Sequence, residues 1–339
     1  MRNILLLLLF PLALAAFEAS PVTPYPVLGY RQITFFDHDF KTSRDLLIWY
    51  PVPAKASGSP SINPWDTFYV DKDAAPEKFS YKLPVIYLSH GYQGTPHELS
   101  WLIRGLVENN FIVIALTHMD RINDKLHINH WLRALDVRKA LDIFSKNPMA
   151  SYANLDEIGF AGFSLGGTTG IWVAGGISDK LDKLAPTPEF STSQDFAQAN
   201  TLLPTLNKEM MAKDWREPRI KAVFLMAPAW AWIFNQNSLK NIQVPAYIIA
   251  PALDDVLVTK NNAGLFARLI PHAVYQEIPG RLTHFIFISA LTEAERRKAD
   301  PADAYPYLFK DSPNIDRRWV QQQVVDEAAN FFNSVFPDK

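Results

Sequence analysis

Gly162–Gly167 reads Gly-Phe-Ser-Leu-Gly-Gly and follows directly on the short apolar run Ile158–Ala161. A serine between glycines at a strand-to-helix turn lies on a sharp backbone corner that larger side chains would obstruct. Such a corner lifts the Ser164 hydroxyl clear of the sheet and places the unpaired N–H groups of the next helix beside it. The stretch therefore predicts a strand, a nucleophilic serine and a helix in that order. A glycine-rich turn with an ordinary serine is the alternative.

The composition is that of a globular protein. The chain has 339 residues, of which 48% are hydrophobic and 20% charged, and its formal net charge is −2. This supplies enough apolar material for a large core and excludes global disorder. Because no basic run interleaved with aromatic residues occurs, we expect no nucleic-acid partner.

The first residues predict a targeting segment. Arg2 gives a positive start, Ile4–Leu14 is apolar, and Ala13–Ala15 offers a small-x-small cleavage pattern. The apolar run is short for a membrane span, so we expect a signal peptide over residues 1–19, cleaved near 15–19, and no stable membrane insertion after its removal. An uncleaved anchor is the alternative. The mature protein is then expected to be exported, either periplasmic or secreted.

Short β-rich runs alternate with helical segments along the rest of the chain. This alternation predicts an α/β fold with a mostly parallel sheet of about eight strands and helices on both faces. The predicted strands are Arg31–Phe36, Leu46–Tyr50, Pro84–Ser89, Ile112–Thr117, Ile158–Ala161, Ala222–Ala227, Ala246–Ala250 and Ala273–Ile278. Helices are predicted over Glu98–Asn109, Trp131–Ser145, Asn261–Leu269 and Arg317–Val335, and after Ser164.

Two segments interrupt this alternation. Ala54–Lys82 is rich in Ser, Pro and Asp and predicts a surface loop. Ile177–Pro218 is polar and carries Pro186, Pro188 and Pro204, which favours an insertion that acts either as a lid or as decoration. We therefore expect a single domain over residues 20–339 with a possible cap over 177–218.

A serine hydroxyl needs a histidine as general base and a carboxylate that orients it. In the α/β-hydrolase arrangement the chain order is serine, acid, histidine. Only His272 and His284 follow Ser164. His272 precedes the last predicted strand and so lies at the wrong edge of the sheet, whereas His284 follows that strand at the carboxyl edge, where ligands of such sheets bind. His284 is therefore the predicted base.

A stretch without carboxylates narrows the choice of the catalytic acid. No Asp or Glu occurs from Arg219 through Leu253, so the first available pair is Asp254 and Asp255, directly after the strand Ala246–Ala250. We favour Asp255, because the apolar residues after it resemble the run that follows the acid in many such hydrolases. Asp254 remains the alternative, with its neighbour then capping the loop.

An oxyanion hole needs two backbone donors. Leu165 supplies the N–H after the nucleophile, and Tyr92, in the His-Gly-Tyr turn after the strand Pro84–Ser89, is the predicted second donor. Trp230 and Trp232 are candidates for an acyl pocket, and Phe285 beside His284 is a third candidate substrate contact. Clustered aromatics are also common in protein cores.

His118, His127 and His130 lie close together in the sequence and raise the possibility of a metal site. Because the chain has no cysteine and no His-Glu-x-x-His pattern, we expect no metal. The absence of cysteine also excludes disulfides and a thiolate nucleophile.

The sequence resembles serine α/β-hydrolases of the dienelactone-hydrolase-like and platelet-activating-factor-acetylhydrolase-like family. The resemblance covers nearly the whole mature chain and rests on the segments Arg44–Pro51, Leu88–Tyr92, Gly162–Gly167, Asp255, His284-Phe285 and Phe309–Arg317. It implies an esterase without a cofactor, in which Ser164, Asp255 and His284 form the catalytic triad. The chain departs from the family in two respects: dienelactone hydrolases use a cysteine nucleophile, and Phe163 stands where relatives often carry histidine.

The sequence therefore predicts an exported serine carboxylesterase that acts on a small-molecule ester or lipid through an acyl-enzyme. Two alternatives remain open. An acyltransferase would use the same triad with an acceptor other than water, and a binding protein would retain the fold without catalysis.

Overall fold

The computed structural model describes residues 26–54, 58–61, 63–122, 125–180 and 201–336. The predicted signal peptide over 1–19 lies outside the described residues, as do residues 181–200 of the predicted insertion. Within the described part of the chain, no helix has the length and apolar character needed to cross a membrane.

A ten-stranded mixed sheet forms the centre of the molecule, with the strand order β12-β11-β10-β9-β5-β6-β2-β1-β4-β3. Six neighbouring strands run parallel to one another: β12, β11, β10, β9, β5 and β6. The next strand, β2, is antiparallel to both of its neighbours, β6 and β1. A separate two-stranded sheet pairs β7 with β8. The strands are β1 Val27–Asp37, β2 Thr42–Tyr50, β3 Ser59–Pro60, β4 Tyr69–Lys72, β5 Leu83–Ser89, β6 Ile112–Leu116, β7 Arg121–Ile122, β8 Lys125–Leu126, β9 Ala153–Phe163, β10 Ile220–Met226, β11 Ala246–Pro251 and β12 Val274–Ile278.

All eight strands predicted from the sequence are confirmed, with shifted ends. Every residue of β5, β6 and β11 is buried, as expected for strands that are covered on both faces. The prediction of a surface loop over Ala54–Lys82 is wrong at Ser59–Pro60 and Tyr69–Lys72, because β4 pairs with the outer edge of β1 and β3 pairs with β4. That pairing satisfies main-chain groups that β1 would otherwise expose.

The helices of the described residues cover the sheet. They are α1 Ser100–Glu108, α2 Leu132–Ser145, α3 Leu165–Ala174, α4 Lys208–Met211, α5 Gln236–Lys240, α6 Ala263–Leu269, α7 Glu293–Ala299 and α8 Arg317–Val335. The connection from β5 through α1 to β6 and the connection from β6 through α2 to β9 run in opposite directions along the sheet. Since such crossovers are right-handed, α1 and α2 lie on opposite faces. The sequence prediction of helices on both faces is confirmed.

This reversal of direction creates a crevice between two neighbouring strands. β5 and β9 lie side by side, with Ser89 at the end of β5 opposite Gly162 near the end of β9. Ligands of open α/β sheets bind at such a switch point, outside the carboxyl ends of the strands. The loop after β5 and the turn after β9 therefore meet where a site is expected.

Candidate active site

Ser164 connects β9 to α3 in a strained conformation. Its φ and ψ are 54° and −118°, a region that non-glycine residues rarely adopt. Strain of this kind costs on the order of 1–3 kcal/mol and persists only where the surroundings enforce it. The Ser164 N–H donates to the carbonyl of Met226 on β10 at 2.9 Å, which helps to hold the turn. The residue is partly exposed, so its hydroxyl is placed at an accessible corner.

The glycines around Ser164 permit a close approach of backbones. A Cβ atom on Gly162 would overlap the carbonyl of Gly166, and a Cβ atom on Gly166 would overlap the carbonyl oxygen of Ser89. The start of α3 therefore packs directly against the end of β5. This contact accounts for the spacing of the glycines in the sequence.

His284 lies in the loop after β12 and is oriented by Asp254. Nδ1 of His284 lies 2.7 Å from Oδ2 of Asp254, and the two side chains are 3% and 1% exposed. The other oxygen, Oδ1, accepts hydrogen bonds from the N–H groups of Val256 and Leu257 at 2.8 and 2.7 Å. A carboxylate held in this way assigns the proton to Nδ1 and leaves Nε2 as a proton acceptor.

This geometry places Asp254, and not the favoured Asp255, against the His284 ring. The sequence favoured Asp255, but the exposed Asp255 accepts a hydrogen bond from the main-chain N–H of His284 at 2.7 Å rather than from its imidazole. Asp255 thus positions the loop, and Asp254 contacts the ring. The main-chain N–H groups of Val256 and Leu257 close an Asx-type turn on Asp254. Because almost any residue could supply these donors, the sequence carries no signal that distinguishes the two aspartates.

The ring of Phe163, at the end of β9 just before the Ser164 turn, packs against the ring of His284. Its centroid lies 4.8 Å from that of His284, so the side chain immediately before Ser164 packs on the imidazole. Phe287 also packs on Phe163, with the two ring centroids 5.6 Å apart. His272 is exposed and precedes β12, at the opposite edge of the sheet, as the sequence predicted.

Leu165 and Tyr92, the two predicted oxyanion donors, belong to the two backbone segments next to Ser164. Leu165 is the first residue of α3, where main-chain N–H groups have no partner within the helix. The loop after β5 runs past the serine, since a Cβ atom on Gly91 would lie 3.7 Å from Cβ of Ser164. Tyr92 follows Gly91 in this loop.

His90 braces the loop from inside. Its Nε2 accepts a hydrogen bond from the His118 N–H at 2.8 Å, which requires the proton on Nδ1, and Nδ1 lies 2.7 Å from the carbonyl of Gly91. Burial lowers the pKa of His90 well below its usual range, so the ring is neutral. These two contacts make His90 a structural brace of the loop.

A buried ion pair that sequence reasoning missed fixes the same loop. Nη1 and Nη2 of Arg133 donate to the carbonyls of His90 and Gly91 at 2.8 and 3.0 Å, and Nε donates to Oδ1 of Asp120 at 3.0 Å. Oδ2 of Asp120 accepts the N–H of Gln93 at 2.7 Å. Although burial opposes ionisation, Arg133 and His130 hold the pKa of Asp120 well below its usual range.

A second serine, histidine and aspartate set lies beneath the loop. Nδ1 of His118 lies 2.8 Å from Oδ2 of Asp136, and Nε2 lies 2.9 Å from Oγ of Ser89. Burial lowers the pKa of His118 to about 4, so the ring is neutral and its Nε2 accepts a hydrogen bond from the Ser89 hydroxyl. Because Ser89 is fully buried at the end of a strand, this set is structural. It also accounts for His118, which the sequence had raised as a metal ligand.

The three predicted substrate contacts lie in two places. Trp230 is itself in a left-handed conformation, with φ 61°, and its ring contacts that of His130 at 5.3 Å between centroids. His130 in turn contacts Tyr92, in the loop after β5, at 5.5 Å between centroids. Trp232 packs half-buried against the core, and Phe285 contacts His284 at 5.4 Å.

Comparisons with solved structures reveal similar folds at low sequence identity. A ferulic acid esterase from Streptomyces cinnamoneus superposes with a TM-score of 0.55 at 13% identity, covering 94% of this chain and 92% of that chain. Thermogutta terrifontis esterase 2, phosphorylated by paraoxon, superposes with a TM-score of 0.52 at 12% identity, covering 91% and 94%. These likenesses show the α/β-hydrolase fold that the sequence predicted. No protein-family model matches the chain, and no curated protein does.

Proposed function

We propose that the protein is a serine carboxylesterase in which Ser164 is the nucleophile, His284 the general base and Asp254 the residue that orients it. The observation that carries this proposal is the strained Ser164 elbow, which shares the carboxyl edge of the sheet with the buried His284–Asp254 pair. A serine alone is a weak nucleophile, and a neutral imidazole whose Nδ1 is fixed on a carboxylate is the partner that activates it.

In the first half of the reaction, His284 takes the Ser164 proton on Nε2 as Oγ bonds to the ester carbonyl carbon. The N–H groups of Leu165 and Tyr92 stabilise the negative charge on the carbonyl oxygen. The tetrahedral adduct then collapses: the bond to the alcohol oxygen breaks, and His284 gives its proton to that oxygen. The alcohol leaves, and the acyl group stays on Ser164.

In the second half, water replaces the alcohol. His284 removes a proton from the water as it attacks the acyl carbon, and the same two N–H groups stabilise the second oxyanion. The ester bond to Ser164 breaks, Oγ recovers the proton from His284, and the carboxylic acid leaves. No cofactor enters this scheme.

We assign the acyl portion of the ester to the side of the loop after β5, Ser89–Gly94, which we call the oxyanion loop. Tyr92, His130 and Trp230 form a continuous set of ring contacts there. Trp230 is also fixed through its main chain, whose N–H donates to Asn262 at 2.8 Å. A wall of this kind favours an apolar acyl group.

The names of the structural neighbours support this proposal. Both proteins are described as esterases, and one was phosphorylated by paraoxon. At 12–13% identity the likeness concerns the fold, so the proposed activity rests on the residues of this chain.

The proposal is tested by the turnover of 4-nitrophenyl esters of increasing acyl length by the wild-type protein and by Ser164→Ala. We expect the wild type to release one acid and one nitrophenol per ester, and Ser164→Ala to lose about four orders of magnitude or more in kcat. An inert wild type, or an active Ser164→Ala variant, would contradict the proposal. Transfer to a dilute alcohol in preference to water would indicate an acyltransferase instead.

We also propose that the enzyme is exported by the segment 1–19, because its charged start, apolar stretch and small-x-small pattern fit a signal peptide. Cell fractionation and N-terminal sequencing of the mature protein test this. A new N-terminus near residues 15–19 outside the cytoplasm is the expected result, and an intact N-terminus in the cytoplasm would contradict it.

A further inference from the structure

A row of aromatic rings leads from His284 to the protein surface. Phe285 contacts His284 at 5.4 Å between centroids, Tyr307 contacts Phe285 at 5.2 Å, and Tyr305 contacts Tyr307 at 6.2 Å. We call these three residues, Phe285, Tyr307 and Tyr305, the aromatic ladder. Tyr305 and Tyr307 are 54% and 50% exposed. Contiguous exposed aromatics that begin at a catalytic side chain are typical of a binding surface.

The segment that carries the two tyrosines is fixed to the loop of His284. Nη1 of the buried Arg317 donates to the carbonyl of Leu308 at 2.8 Å and to that of Ile288 at 3.1 Å. The guanidinium group is also paired with Asp311. One buried side chain thus joins the tyrosine segment to the histidine loop.

A second buried residue sets the direction of the segment. Both carboxylate oxygens of Asp300 accept main-chain hydrogen bonds, one from Ala304 and one from Tyr305, each at 2.8 Å. The position of the ladder relative to His284 is therefore determined by buried polar contacts and not by the tyrosine rings alone. Removing a ring leaves these supports in place.

The reaction scheme decides which part of the ester the ladder faces. His284 must give its proton to the leaving oxygen, so the alcohol portion lies on the side of the histidine. The carbonyl oxygen lies between Leu165 and Tyr92, and the acyl portion lies toward His130 and Trp230. Because the ladder begins at His284, it continues from the leaving oxygen outward.

We infer, on the basis of the proposed esterase function, that the aromatic ladder is the binding site for the alcohol portion and that the enzyme takes esters of aryl or arylalkyl alcohols. Flat rings of substrate would meet the ladder edge-to-face or in offset stacks, the arrangements that aromatic pairs favour. The tyrosine hydroxyls keep the outer end compatible with water. The released product is an aromatic alcohol.

The test uses a series of acetates that differ only in the alcohol: ethyl, benzyl and 2-naphthylmethyl acetate. The wild type is expected to prefer the aromatic members in kcat/KM. Tyr307→Ala is expected to lower the benzyl-to-ethyl ratio of kcat/KM at least five-fold, and the double variant Tyr305→Ala/Tyr307→Ala to lower it further. Tyr307→Phe keeps the ring and should keep the ratio. Tyr152→Ala, which removes another partly exposed tyrosine, is the matched control.

Deacylation separates this role from a structural one. Every acetate gives the same acetyl-enzyme, and the alcohol has left before water attacks, so the rate of acetyl-enzyme hydrolysis in Tyr307→Ala should stay within about two-fold of wild type. A disturbed His284 would slow both halves of the reaction, because the histidine acts in each.

Three results would overturn the inference: a wild type without preference for aromatic alcohols, an unchanged benzyl-to-ethyl ratio in Tyr307→Ala, or a parallel loss in deacylation. Each of these results can be observed only if the wild type hydrolyses esters. If the proposed function itself is wrong, the wild type hydrolyses none of the esters, so the two failures are distinguishable.

Discussion

Oδ2 of Asp254 lies 2.7 Å from Nδ1 of His284, and the Asp254 side chain is almost completely buried. Asp254→Asn should therefore lower kcat by about three orders of magnitude, because an amide no longer fixes the tautomer that leaves Nε2 basic. Steady-state hydrolysis of a nitrophenyl ester checks this.

The neighbouring carboxylate provides the matched control. Asp255 accepts the His284 N–H through its side chain, and an asparagine carbonyl can accept the same bond, so Asp255→Asn should keep kcat within about ten-fold. A large loss in Asp255→Asn together with a small loss in Asp254→Asn would reverse the assignment.

Substitution of the buried Ser89 tests whether the set Ser89–His118–Asp136 differs in role from the set of Ser164, His284 and Asp254. Ser89→Ala removes the hydroxyl that contacts Nε2 of His118 and should cost about 1–3 kcal/mol of unfolding free energy. Because Ser89 does not act as a nucleophile, ester turnover should remain within about ten-fold of wild type. Chemical denaturation and ester hydrolysis measured on the same preparation check both statements. A loss of turnover as large as that of Ser164→Ala would indicate that the wrong serine has been assigned.

The Arg133–Asp120 pair should control both stability and catalysis. A lysine at position 133 keeps the charge but cannot hold two loop carbonyls and a carboxylate together. We expect Arg133→Lys to lose about 2 kcal/mol or more of stability and about ten-fold in kcat, because the oxyanion loop loses its support. Arg138→Lys, on the same helix but substantially exposed, serves as control and should change little. Equal effects of the two substitutions would contradict the special role of Arg133.

Glu98 should make stability depend on pH. Its carboxyl group packs against Gly94 of the oxyanion loop, and burial raises its pKa from 4.5 to about 7. Between these two pH values the folded protein keeps a proton on Glu98 that the unfolded chain has lost. The contribution of the protonated carboxyl group to stability is therefore complete below about pH 4.5 and is lost as the pH rises through about 7.

The corresponding variant is Glu98→Gln, which should gain stability relative to wild type between pH 5 and pH 8, on the order of 1–3 kcal/mol. Urea unfolding of both proteins at the two pH values measures this difference. Glu209→Gln, at an exposed position of α4, should show no such gain. A constant difference between wild type and Glu98→Gln across this range would contradict the expected titration.

Local sequence was sufficient for the elements that determine the fold. The apolar run before Ser164 and the β-rich run before His284 predicted their strands, and the chain order placed both residues at one edge of the sheet. The four-residue strand Tyr69–Lys72 could not be predicted, because its partner β1 and not its own composition makes it a strand.

The predictions of individual contacts depended on loop geometry. Asp254 and Asp255 are adjacent and chemically identical, and only the turn closed by Val256 and Leu257 directs Asp254 toward the imidazole. Arg133 and Asp120 are likewise ordinary charged residues in the sequence, and their buried pairing arises from tertiary packing. The residues of the proposed chemistry could therefore be predicted from the sequence more readily than the residues that position them.

The assignment of Ser164 as nucleophile is tested most directly by covalent labelling with paraoxon. We predict that one equivalent of the diethylphosphoryl group attaches to the wild-type protein, that peptide mass spectrometry locates it on Ser164, and that Ser164→Ala is not labelled. Labelling of Ser164→Ala at the wild-type rate, or attachment to Ser89 or another residue in the wild type, would contradict the proposed mechanism.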